Sequence, residues 1–98
     1  MPNASVAIQV LPTVPGGEFI PAVDAVIAHL KASGLKAEVG PFETVLEGDY
    51  ETLLKLVADA SKIAAEAGAD SVMTYVKIAY NPKGDVLTIA DKVEKHRQ

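Results

Sequence analysis

The sequence predicts an α+β sandwich in which two helices cover one face of a four-stranded antiparallel sheet and a short helix follows. Three observations carry this expectation. Apolar residues recur at period two in four segments and at helical spacing in two others, in the order βαββαβ. The middle strands are joined by a Gly-Pro turn, so they form a hairpin between two βα units. With 49% hydrophobic but only 5% aromatic residues, the core must be aliphatic, which suits small side chains between helix and sheet.

Each element has its own signals. Residues 5–11 read as a strand, with Val6, Ile8 and Val10 on one face and Ser5, Ala7, Gln9 and Leu11 on the other. Pro12 and Pro15-Gly16-Gly17 close it. A helix follows over residues 21–33. Pro21 is tolerated in its first turn, where the amide lacks an intrahelical partner. Ile20, Val23, Ile27 and Leu30 form its expected buried stripe, and Gly34 its C-terminal cap. Residues 36–39 are a second strand, and residues 44–47 a third. The register of the third stays open: either Thr44 and Leu46, or Val45 with Glu43 and Glu47, face the helices. Asp49 reads as the N-cap of a helix over residues 50–67, with Leu53, Val57, Ala60 and Ala64 on one face. Residues 71–80 are the fourth strand. Val72, Thr74, Val76, Ile78 and Tyr80 alternate with Met73, Tyr75, Lys77 and Ala79. Asn81-Pro82-Lys83-Gly84 is a turn. Thr88 then caps a short helix over residues 89–96, with Asp91 in its first turn.

This order is that of a ferredoxin-like βαββαβ sandwich, expected as a single domain over residues 1–98. Right-handed crossovers put both long helices on one face. The other face is expected to lie bare, and Ala7, Leu11, Met73 and Tyr75 on it then need cover from another subunit.

Composition narrows the function. A net charge of −4 opposes nucleic-acid binding, which needs a basic surface. The chain has 0 cysteines, which removes disulfide and thiol chemistry. No apolar run reaches transmembrane length, and the first residues carry no signal-peptide pattern, so a cytoplasmic protein away from membranes is expected. No phosphate-binding glycine fingerprint and no zinc-ligand spacing are present, and no cofactor or metal is expected. His29 and His96 lie on different helices, with His29 read as an exposed helix residue.

The richest stretch is Gly40-Pro41-Phe42-Glu43-Thr44-Val45-Leu46-Glu47-Gly48, where two carboxylates and a hydroxyl crowd a tight turn. Glu43 and Glu47 have two readings. They are solvated charges paired with Lys36 or Lys77, or Glu47 accepts charge-assisted hydrogen bonds from an amine or cationic ring, with Thr44 orienting it. Gln9 and Ser5 are an interface pair or, through the Gln9 amide, a reader of a heterocycle edge. Lys77 in mid-strand needs a partner, and Glu43 or Glu47 is the candidate. Phe42, Tyr75 and Tyr80 pack in the core or an interface, or stack on a ring. A Lys77–Glu47 pair is the sole hint of acid–base catalysis.

Four segments together resemble one known family: Ser5-Val6-Ala7-Ile8-Gln9-Val10-Leu11-Pro12, the run from Val39 to Gly48, Val76-Lys77-Ile78, and Thr88-Ile89-Ala90-Asp91-Lys92-Val93. They are similar, in the same order, to the thiamine-binding, YkoF-like family of small proteins. The central G-P-x-x-T-x-x-E-G run is the most specific. The resemblance implies a ferredoxin-like fold, homotetramers built from pairs of dimers, and binding of thiamine or its hydroxymethylpyrimidine moiety without a catalytic step. Gln9, Thr44, Glu47, Ser5, Glu43, Phe42 and Lys77 are the expected ligand-binding region. The competing expectation is a structural or regulatory oligomer with no small-molecule ligand.

Overall fold

The structure, a computed structural model, describes residues 2–97. Four antiparallel strands form one sheet: β1 (Ala4–Thr13), β2 (Lys36–Val39), β3 (Thr44–Gly48) and β4 (Ser71–Tyr80), in the spatial order β2-β3-β1-β4. Helices α1 (Ile20–Lys31) and α2 (Tyr50–Glu66) pack on one face, and α3 (Ile89–Val93) follows β4. This is the ferredoxin-like arrangement that the sequence predicts.

The register settles the third strand. Leu46 pairs with Val6 and Thr44 with Ile8, so Thr44 and Leu46 face the helices. Glu47 pairs with Ser5 and Val45 with Ala7, which places both on the opposite face. The core lies between helices and sheet. It comprises Ala4, Val6, Ile8 and Leu46 from the strands, with Ala22, Val26 and Leu30 of α1 and Leu53, Leu56, Ala60 and Ala64 of α2. Four of these eleven are alanines, which lets the helix backbones approach the sheet closely. In α1 the buried stripe is rotated from the expected one. Ala22, Val26 and Leu30 point inward, Ile20 is half exposed, and Val23 and Ile27 sit at the helix edge. Periodicity alone cannot place an arc of a helix that is apolar over so wide a sector.

The backbone alternation of β1 follows from two hydrogen bonds. Asn81 N–H donates to Asn3 C=O at 2.9 Å, one step beyond the Ala4–Tyr80 pair. Odd-numbered residues of β1 therefore bond β4, and even-numbered residues face β3. At the hairpin, Gly40 N–H donates to Glu43 C=O at 2.9 Å, which sets the matching alternation in β3. β1 pairs with β3 only as far as Ile8, yet continues along β4 to Thr13. Pro12 thus lies inside the strand rather than ending it. Its missing N–H falls on the side where no neighbour remains, the edge position proline tolerates.

The sheet's second face is not wholly bare. α3 folds across it, and Ile89 is buried there. Leu11, Met73 and Tyr75, at the far end of that face, stay 43%, 57% and 55% exposed. Local signals hold α3 at its start. Thr88 Oγ1 accepts from Asp91 N–H, and the Asp91 carboxylate accepts from Thr88 N–H, both at 3.0 Å, a reciprocal capping box. The backbone hydrogen bond from Thr88, and then its side-chain bond, hold the Asp91 carboxyl below the ordinary aspartate value of 3.8. Because the folded value is depressed, the box contributes in full above that ordinary value and is lost as pH falls through the lowered one. An NMR pH titration is expected to show the Thr88 and Asp91 amides losing their capped shifts only in acid below that range.

Candidate functional site

Concavities border the hairpin on both faces of the sheet. The first is a cleft of about 200 Å³ at the notch where β3 has ended and β1 continues. Its floor is Ile8, Gln9, Val10 and Leu11, one wall is Phe19 with Val23 and Ile27 of α1, and the other is the hairpin from Gly40 to Thr44. Thr44 is buried on the helix face of β3, and among the described residues its hydroxyl has no hydrogen-bond partner. Phe42 stands 79% exposed at the rim, and Phe19 is half exposed. The hairpin cannot relax freely. A Cβ on Gly40 would meet Glu43 C=O at 2.9 Å, so only glycine allows the turn to close this tightly.

The second is a groove of about 340 Å³ between the sheet's other face and α3. Ser5, Ala7, Val45, Lys77 and Ala79 form its floor, and Ile89, Lys92 and Val93 overhang it. Glu43 borders both concavities. Its carboxylate lies 3.3 Å from Lys77 Nζ, the partner expected for a mid-strand lysine. Lys77 is 78% exposed along its side chain, so the pair is worth about 0–1 kcal/mol and parts easily.

Of the seven expected site residues, Gln9, Phe42, Glu43 and Thr44 line the cleft, while Ser5, Glu43 and Lys77 line the groove. Glu47 lines neither, being 9% exposed beneath α3. Its Oε2 accepts from Ile89 N–H at 2.7 Å and ties the start of α3 to the sheet. Beyond α3, Arg97 ties the following segment to the sheet, with its guanidinium on Glu38 of β2. Tyr80 stacks on Tyr50, with ring centroids 4.2 Å apart. His29 is not the freely exposed residue expected. Its Nε2 is buried without a hydrogen-bond partner, 3.8 Å from Asp59 of α2.

Phe19 and Val10 also line the cleft, and neither is among the seven expected residues. The signal for Phe19 was its place in the loop before α1, in a chain with 2 phenylalanines. The signal for Val10 lies in strand lengths and has no residue-level trace. Among the described residues, no group of three or more His, Cys, Asp or Glu is placed to hold a metal ion, and no helix is long and apolar enough to cross a membrane.

The architecture defines a small ferredoxin-like α+β protein with a cleft beside its central hairpin. Comparison with known proteins gives the family. A model described as "Thiamine-binding protein" matches residues 6–97, and the chain belongs to that family. It is 39% identical to a UPF0045 protein of Clostridium perfringens, over 99% of this chain and 100% of that one. A Bacillus cereus structure of the DUF77 domain of unknown function is similar with a TM-score of 0.89 and 37% identity, covering 96% of this chain and 89% of that one. A Thermotoga maritima protein assigned provisionally to thiamine biosynthesis or salvage is similar with a TM-score of 0.83 and 31% identity, covering 96% and 98%.

Proposed function

We propose that this protein is a non-catalytic binder of thiamine or its hydroxymethylpyrimidine moiety, serving thiamine transport, salvage or sensing in the cytoplasm as a homotetramer. The observation that carries the reading is the cleft at the hairpin. It combines apolar walls, two exposed phenylalanine rings and the unengaged Thr44 hydroxyl, the mixture expected of a small-molecule site. A volume of about 200 Å³ suits one heterocycle better than two linked rings, which points to the pyrimidine as the enclosed part. The net charge of −4 favours a cation such as the thiazolium of thiamine.

The exposed Leu11, Met73 and Tyr75 surface supports self-association, since monomers seldom leave such apolar area open. It also favours a second reading, an assembly or regulatory protein with no small ligand. Calorimetric titration with thiamine, hydroxymethylpyrimidine and the thiazole alone separates the two, alongside light scattering for the oligomer. Heat from thiamine and hydroxymethylpyrimidine, with little from the thiazole, is expected. A stable tetramer that binds none of the three at high micromolar concentration would sink the binding reading and leave the second.

A further inference from the structure

We infer that the peptide edge of Val10 reads the aminopyrimidine ring, its N–H donating to a ring nitrogen and its C=O accepting from the adjacent exocyclic amine. The inference rests on the binding function proposed above and names the groups that would perform it.

Four consecutive residues, Ile8 to Leu11, line the cleft. Side chains of a strand alternate between faces, so four in succession can border one cavity only where the strand's backbone edge is exposed. The alternation in β1 shows which groups lie on that edge. Even-numbered residues face β3, and Ile8 is the last of them to find a partner, Thr44. Val10 is next. The position opposite it would fall at Phe42, but the chain has already turned away at the hairpin. Val10 N–H and C=O therefore point into the notch together, with no strand or side chain bonded to them among the described residues.

That edge is too short for a peptide. A further strand would need the next even-numbered residue, and Pro12 has no N–H to offer. Behind Val10, the Ile8 groups are already used by Thr44. What remains is one donor and one acceptor side by side, the pair that a single partner residue would satisfy in an antiparallel ladder. An aminopyrimidine presents the complement, a ring nitrogen next to an exocyclic amine, in one rigid plane. Phe19 and Phe42 stand at the mouth with exposed rings that can close on such a plane. Water satisfies Val10 while the cleft is open. A ligand that expels this water must replace both bonds, which makes the site selective for the donor–acceptor order.

The test uses the full chain labelled with ¹⁵N, and hydroxymethylpyrimidine against its 4-oxo analogue, in which the amine donor becomes an acceptor. The Val10 amide is expected to shift among the most on titration with hydroxymethylpyrimidine. The 4-oxo analogue is expected to bind on the order of 100-fold more weakly. Phe42→Ala, at an exposed position that leaves the fold intact, is expected to weaken binding about three- to tenfold. If hydroxymethylpyrimidine binds but the Val10 amide stays still and the 4-oxo analogue binds equally well, this inference falls while the proposed function stands. If neither pyrimidine binds, both fall.

Discussion

Leu46→Ala is expected to destabilise the protein by about 3–5 kcal/mol, the upper part of the range for emptying a closed aliphatic site. Leu46 is 0% exposed. It sits on a sheet-interior strand, paired with Val6 of β1 on one side and Ala37 of β2 on the other, beneath the helices. The core between sheet and α2 includes Ala60 and Ala64, which have no side-chain freedom to move into a void. The cavity therefore stays open, and the cost lies near the top of the range rather than the bottom. A domain of this size has a total stability of about 5–15 kcal/mol, so the change removes a large share of it. Urea denaturation checks this. The midpoint is expected to fall steeply with an unchanged slope, because the surface exposed on unfolding is nearly the same. A loss below about 1 kcal/mol would mean that the sheet relaxes into the space.

Glu47→Ala is expected to cost about 1–3 kcal/mol and to release α3 from the sheet. The carboxylate is nearly buried, and its bond to Ile89 N–H at 2.7 Å is the short, charge-assisted kind. Truncation leaves that amide unpaired at the very point where α3 joins the sheet. Glu47→Gln keeps an acceptor oxygen in place and is expected to lose much less. Hydrogen exchange separates these outcomes. In the Ala variant, the amides of α3 are expected to exchange faster while those of β1 keep their protection. Equal damage from Gln and Ala would show that the negative charge, not the hydrogen bond, holds the helix.

The two residues show how far the sequence reaches. Leu46 is legible as a strand residue, but whether it faces core or solvent depends on register, and a one-residue slip inverts every side chain. Glu47 was equally visible as an acidic residue on a strand. Its Ile89 partner lies 42 residues away and cannot be inferred from local pattern. The same holds for the expected ligand region. Its seven residues lie around the hairpin and the strands beside it, yet a strand sends alternate side chains to opposite faces. Thr44 and Phe42 therefore go to the cleft, Ser5 and Lys77 to the groove, and Glu43 borders both. The bare face expected from the βαββαβ order was half right. α3 covers one end of it through Ile89, and Leu11, Met73 and Tyr75 remain open at the other.

The sequence by itself determined the elements, their order, the caps at Asp49 and Thr88, and the family. These depend on periodicity, turn chemistry and capping, which act within a few residues of chain. Only the tertiary structure decided the register of β3, the placement of α3 across the sheet, and the notch beside Val10. Each of these depends on where two distant segments begin and stop relative to one another. The notch is the clearest case: β1 outlasts β3 by several residues, and that mismatch in length exposes a peptide edge that no side chain announces.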